Sequence, residues 1–309
     1  MKKLISIVTP CFNEEGNVEE LHKRISETLR NLPYEYEHIY IDNASTDQTV
    51  NKIKRIATVD QHVKLIVNSR NFGHIRSPYY GILQTNGDAC VLIASDLQDP
   101  PEMIAEFIKK WEEGYKTVLA VKPESEENII IFALRKTYYR LISKISEVPL
   151  INNATGAGLI DKSVVEILRN IQDPYPYFRG LLCEIGYPIA TVPFKQPRRK
   201  RGITKNNFYS LYDMAMLGIT NHSKVPIRLM AMSGFFLSFL SLLIAFGFLV
   251  AKLLFWDSFQ LGTAPMLIGV FFFGATQTFF IGVLGEYVAS IHTQVRRMPL
   301  VIEIERVNF

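Results

Sequence analysis

Charge nearly disappears from this chain after Arg228. The 23 residues between Arg228 and Lys252 carry none, and neither do the 28 from Ser258 to Gly285. As a helix, the shorter run reaches roughly 34 Å at about 1.5 Å per residue, enough to cross a hydrocarbon core of about 30 Å. Both runs are rich in Phe, Leu and Ile and have no polar face, so a pair of buried core helices is the weaker reading. Two transmembrane helices are expected within residues 228–290. Lys224 and Arg228 precede the first and Arg296 and Arg297 follow the second, whereas the connector balances Lys252 against Asp257. Positive-inside bias then puts both termini on the cytoplasmic side, with 291–309 as a cytoplasmic tail. The expectation is a multi-pass protein of the inner (cytoplasmic) membrane. Phe208, Leu211, Tyr212, Ala215 and Ile219 recur at helical spacing and predict a juxtamembrane amphipathic helix over 206–227.

The charged part, residues 1–205, reads as one cytoplasmic domain. Net charge over the whole chain is only +4, which argues against a nucleic-acid partner. Cys11, Cys90 and Cys183 are far apart and odd in number, so neither a zinc site nor a disulfide framework is indicated. The run Leu4–Thr9 is too short for a signal sequence and predicts a buried strand. Asn13 is the expected cap of a helix whose apolar face is Val18, Leu21, Ile25 and Leu29. Further strands are predicted at His38–Ile41, Val63–Val67 and Ala89–Ala94, with a helix between the first two and another carrying Met103, Ile104, Phe107, Ile108 and Trp111. Such alternation predicts an α/β fold, a mostly parallel sheet with helices on both faces. Ligands bind such sheets beyond the carboxyl ends of the strands. The polar clusters Asn13–Glu15, Asp42–Asp47, Arg70–Asn71 and Asp96–Asp99 all fall there.

Asp96 and Gln98 are two apart just past a buried strand, so in an extended stretch both oxygens face one way. A magnesium or manganese ion suits them, since hard cations take oxygen ligands and share them with substrate phosphates. A solvated turn is the competing reading for Asp96, and Asp99 is assigned mainly to capping the helix after Pro100. Asp42 is either a hydrogen-bond acceptor for a base or ribose or a turn former, and Arg70 either a phosphate ligand or a surface arginine. The basic run Lys195, Arg198, Arg199, Lys200, Arg201 and Lys205 lies before the membrane segments. With Gly202 and the hydroxyl of Thr204 it suits a phosphate-wrapping loop better than a head-group patch.

Several stretches, in this order and spacing, resemble family-2 glycosyltransferases, and within them the polyprenyl-phosphate branch of the dolichyl-phosphate mannose synthases and bactoprenol glucosyltransferases. They are Thr9–Glu15, Asp42–Asp47, Ser69–Gly73, Asp96–Pro101, Phe178–Gly180 and Arg201–Lys205, with Gly285-Glu286-Tyr287 and Arg297-Met298-Pro299 near the end. The resemblance implies a GT-A fold, with a UDP- or GDP-linked sugar held by Thr9, Pro10, Phe12, Asn13, Glu14, Asp42, Arg70 and Asp96. It implies Mg²⁺ or Mn²⁺ at Asp96 and Gln98. Catalytic contacts are expected from Asp96, Arg179 and Glu184, and contacts to the lipid phosphate from Arg135, Arg201, Thr204 and Lys205, with interfacial helices near Arg135–Ile145 and Asn206–Thr220. The partners are then a nucleotide sugar, a polyprenyl phosphate, the membrane and, with oligomeric state open, a second copy of the chain.

Two positions depart from the family pattern. Ala94 stands where an acidic residue usually precedes Asp96 by two, and the glycine-containing turn Asn153–Leu159 lacks the aspartate and arginine of many relatives. The second loss removes a candidate general base. A lipid phosphate has a pKa near 6 and is already an anionic nucleophile at neutral pH, whereas a hydroxyl acceptor needs a base. The expected reaction is therefore inverting transfer of a sugar onto a polyprenyl phosphate at the cytoplasmic membrane face. Transfer to a sugar hydroxyl in polysaccharide synthesis, with Glu184 as its candidate acid, and a nucleotide-sugar-binding scaffold without turnover are the rival readings.

Overall fold

The computed structural model describes residues 2–122, 151, 153–195, 216, 223, 225–254, 263–296 and 298–309. Among them, eight strands form one sheet. They are β1 (Leu4–Cys11), β2 (Glu35–Asp42), β3 (Val63–Asn68), β4 (Ala89–Leu92), β5 (Thr117–Val121), β6 (Ala154–Asp161), β7 (Ile189–Pro193) and β8 (Glu303–Val307). The order is β7-β5-β6-β4-β1-β2-β3-β8. β1 pairs in parallel with β2 and β4, β2 with β3, and β5 with β7. β6 runs antiparallel to both β4 and β5, and β8 antiparallel to β3. This is the α/β, mostly parallel sheet expected from the alternation of elements, and it is GT-A-like as the resemblance implies.

The helices that cover it are α1 (Val18–Arg30), α2 (Thr49–Val59), α3 (Gly73–Leu83), α4 (Met103–Glu112), α5 (Lys162–Ile171) and α6 (Phe178–Glu184). Alternate residues of the central strands feed two cores, as a pleated sheet covered on both faces requires. Ile5, Ile7 and Tyr40 pack with α1, α2 and α4 (Leu21, Ile25, Ile53, Phe107). Val8, Ile39 and Ile41 face α3 and α5 (Tyr79, Ile82, Val164, Leu168). The predicted faces of α1 and α4 are the buried ones. All three cysteines are buried and free.

Three local expectations are corrected. Asn13 does not cap α1, which starts at Val18 after Asn17; with φ +57° it is held in the left-handed region and its side chain is used elsewhere. Asp99 does not cap α4, which starts at Met103 after Glu102. Asn153–Leu159 is no glycine turn: Ala154 begins β6, and Gly158 is there because a Cβ would strike the Val118 carbonyl oxygen of β5.

Two long helices follow, α7 (Val225–Leu254, 30 residues) and α8 (Thr263–Val295, 33 residues). Their outer surfaces expose Phe235, Phe236, Phe239, Val270, Phe279 and Ile281, among others. Among the described residues no helix is long and apolar enough to cross a membrane. The side chains of Leu242, Phe248, Leu249, Leu267 and Ile268 lie outside that set. After α8 the chain returns: Val301 is buried, and β8 adds an edge strand to the sheet that the sequence pattern did not reveal. The basic loop beyond Lys195, most of 206–227, and Arg135, Arg201, Thr204 and Lys205 lie outside the described residues.

Candidate functional site

The carboxyl ends of β1, β2, β3 and β4 open into one cavity of about 650 Å³. β1 contributes Pro10, Cys11, Phe12 and Glu14; the ends of β2 and β3 contribute Asn43, Asn71 and Gly73; the segment after β4 contributes Ala94, Ser95, Asp96, Gln98 and Asp99. Tyr79 of α3, Gly156 and Ala157 of β6, and Pro176–Arg179 add to the lining.

Hydrogen bonds among the rim residues hold its loops. The Asn13 amide N–H donates to Ser45 Oγ (2.9 Å), and Asn13 Oδ1 accepts from the Thr46 amide (2.8 Å). Glu14 and Glu15 amides donate to Thr49 Oγ1 and Asp47 Oδ2, and Glu15 Oε2 accepts from the Gln48 amide. Asp42 is fully buried and spends its carboxylate on the amide (2.9 Å) and hydroxyl (2.5 Å) of Ser45. Burial raises its pKa against those bonds. Asn43, 7 % exposed, joins two strand ends: Nδ2 donates to Asn71 Oδ1 (2.8 Å) and the Gly73 carbonyl (3.2 Å), and Oδ1 accepts from the Phe72 amide (2.8 Å).

Asp96, Gln98 and Asp99 reach the cavity by a route that period-two reasoning does not describe. Leu97 between them is buried at φ +59°, so the stretch is kinked rather than extended, and residues i, i+2 and i+3 all line the cavity. A non-glycine residue held there is uncommon and marks a constrained turn. Asp96 Oδ1 accepts from the Gln98 amide (3.1 Å). Asp99 is 7 % exposed, and its Oδ1 has no hydrogen-bond partner. Burial, reinforced by the nearby Asp96 charge and opposed by a backbone hydrogen bond at Ala94, pushes its carboxyl up to about 7.

Arg179 lines another part of the wall; its Nη1 donates to the Ala154 carbonyl (2.7 Å), and its guanidinium lies 5.7 Å from the Tyr177 ring centroid. Just before that segment, Asp173 Oδ1 accepts from Gln294 near the end of α8 (3.1 Å), and Arg76 of α3 donates to the Pro299 carbonyl beyond α8.

Of the sequence-predicted residues, the cavity gathers Pro10, Phe12, Glu14, Asp96, Gln98 and Arg179. Thr9 is buried beneath it against His38 (2.9 Å), Arg70 lies exposed over the Phe72 ring (4.2 Å), and Glu184 is exposed at the end of α6; these three, with Asn13 and Asp42, are not lining residues. Sequence reasoning missed Asn43 as a hub and Tyr177 as a wall; the run Tyr175-Pro176-Tyr177-Phe178 beside Arg179 was the available signal.

The donor set suits a hard divalent cation. Asp96 and Gln98 offer oxygens, and the buried Asp99 Oδ1, without a hydrogen-bond partner, lines the same cavity. Among the described residues no group of three or more His, Cys, Asp or Glu could hold a metal ion.

The sequence matches the family described as Glycosyl transferase family 2 over residues 6–167. A Synechocystis protein named as an uncharacterised glycosyltransferase is 32% identical over 297 residues, 96% of this chain and 93% of that one. A prophage-derived bactoprenol glucosyl transferase of Shigella flexneri is 32% identical over 296 residues, 96% of each chain. Among solved structures, glucosyl-3-phosphoglycerate synthase from Mycobacterium tuberculosis is similar at a TM-score of 0.47 and 21% identity, covering 71% of this chain and 78% of that one.

Proposed function

The chain belongs to glycosyl transferase family 2, and from that premise we propose that it moves a sugar from a nucleotide-sugar donor onto the phosphate of a polyprenyl lipid, with inversion at the anomeric carbon. The observation that carries this reading is the composition of one cavity: oxygen donors on one side, an arginine on another, and a wall preceded by Asp173, which bonds near the end of a long apolar helix.

The nucleotide sits between the β1 loop and the Asn43–Asn71 strand ends. Asp96 and Gln98 would hold Mg²⁺ or Mn²⁺, which would screen the charge of the departing diphosphate. Tyr177 and Arg179 face the sugar and acceptor side, where the guanidinium draws the lipid phosphate toward the anomeric carbon. The acceptor oxygen is already anionic at neutral pH, so positioning and charge screening replace a general base. Gly156 and Ala157 offer no carboxylate on their part of the wall. Arg135, Arg201, Thr204 and Lys205 remain the proposed phosphate contacts from outside the described residues.

A lipid acceptor needs the cavity at the membrane surface. α7 and α8 are read here as the two spans, with the domain at the cytoplasmic face. Because β8 pairs with β3, the chain leaves the domain at α7 and rejoins it after α8, which requires an even number of crossings. The Tyr287 hydroxyl donates to the Ser223 carbonyl (2.8 Å), clamping α8 to the entry of α7.

The test is full-length protein in lipid nanodiscs with a panel of UDP- and GDP-sugars, Mg²⁺ or Mn²⁺, and either polyprenyl phosphate or an oligosaccharide. Sugar linked to the lipid is expected, and Asp96→Ala should lower its formation at least about a hundredfold. Elongated oligosaccharide, or donor binding without turnover, would replace this reading with one of its rivals.

A further inference from the structure

Asp99 has no task in the scheme so far, yet a buried carboxylate oxygen without a partner costs roughly 1–3 kcal/mol or more, so it calls for one. The residue is 7 % exposed, lines the same cavity as Asp96 and Gln98, and its Oδ1 meets no donor. It does not cap α4, whose first turn follows Glu102. Charge balance points the same way. One carboxylate and one neutral amide leave a dication half neutralised, and the position two before Asp96 is Ala94, which contributes none.

We propose that Asp99 is a third oxygen donor to the divalent cation held at Asp96 and Gln98, supplying the charge that Ala94 leaves out. The inference rests on the metal reading above and deepens it. The left-handed turn at Leu97 brings the three side chains to one wall; in a straight strand Asp99 would point the opposite way from Asp96. The turn satisfies the carboxylate only in part, through a backbone hydrogen bond at Ala94, and Pro100, which has no amide hydrogen, adds no donor for Oδ1. A cation would turn an unpaired acceptor into a ligand and bring the protein charge at the site to −2. Oxygen ligation by two carboxylates and an amide leaves positions for the diphosphate, as suits magnesium or manganese.

The experiment uses the full chain in detergent micelles, with Mn²⁺ as the probe and the free ion followed by its electron paramagnetic resonance signal, without substrate and again with UDP. Wild type should remove Mn²⁺ from solution, Asp96→Asn should abolish this, and Asp99→Asn should weaken it at least about tenfold. The metal-free Asp99→Asn protein should melt no lower than wild type, since a desolvated carboxylate has been removed. Asp99→Cys should shift preference from Mn²⁺ toward thiophilic Cd²⁺ relative to wild type, a change no purely structural role produces. If Asp99→Asn fails to fold, Asp99→Ser and the Cys variant carry the same comparison. Mn²⁺ binding unchanged in the Asp99 variants but lost in Asp96→Asn overturns this inference and leaves the metal site standing. Absence of Mn²⁺ binding by wild type overturns both.

Discussion

Replacing Asn43 by alanine should loosen the donor side of the cavity without touching any acidic group. Its amide makes two donations, to Asn71 Oδ1 and the Gly73 carbonyl, and accepts from the Phe72 amide at 2.8 Å. A further contact comes from Asn68 Nδ2 at 3.3 Å. Phe72 is buried, so Asn43→Ala strands its N–H at a cost of about 1–3 kcal/mol, and each lost hydrogen bond adds roughly 0.5–1.5 kcal/mol. With partial relaxation the expected loss is about 3 kcal/mol, or roughly 8 °C in Tm for a domain of this size. The bonds connect the ends of β2 and β3, so donor affinity should fall as well. Asn43→Asp keeps the acceptor for Phe72 but turns both donations into oxygen–oxygen contacts and adds charge next to Asp42, so it should be no better than alanine. The assay is thermal unfolding at fixed scan rate, followed by nucleotide-sugar titration at a temperature where each variant is folded. A melting point for Asn43→Ala within about 1 °C of wild type, with unchanged donor Kd, would refute the hub.

Glu37→Gln tests the opposite end of the sheet. Burial raises the Glu37 carboxyl, but Lys64, Ser6 and the Asn86 amide together hold it below its usual value. A depressed carboxylate contributes stability above its unfolded pKa that disappears as pH falls through the folded one. The variant should thus be about 2–3 kcal/mol less stable at pH 7, and the gap to wild type should close below about pH 4 in urea melts. Gly158→Ala should cost about 1–3 kcal/mol or more and loosen the β5–β6 pairing in hydrogen exchange, because the added Cβ meets the backbone of Val118 and lies 3.0 Å from Leu119 Cδ2.

The sequence made the parallel half of the sheet legible because β1 to β4 are apolar runs, each ending in a polar cluster on one rim. The other half was not legible. β6 carries two glycines and reads as a turn until its pairing with β4 and β5 is seen, and β8 is a charged strand, Glu-Ile-Glu-Arg-Val, whose partner is more than 200 residues away. The same contrast holds at the site. Pro10, Glu14, Asp96 and Gln98 stand in motifs at or just past strand ends, Arg179 stands in the Phe178–Gly180 stretch that opens α6, and all five line the cavity. Asp99 was misread, since Asp before Pro-Pro is a common capping pattern and only the kink at Leu97 redirects it. Asp42 and Asn13 carry the motif and also tie the loops together, where Ser45 and Thr46 engage them.

The nature of the acceptor decides the account, and phosphorus NMR reads it directly. Full-length protein in nanodiscs containing polyprenyl phosphate is incubated with its nucleotide sugar and Mg²⁺. The lipid phosphomonoester resonance should be replaced by that of a phosphodiester, carrying one sugar of inverted anomeric configuration. A monoester signal that persists while the donor is consumed would contradict transfer to phosphate.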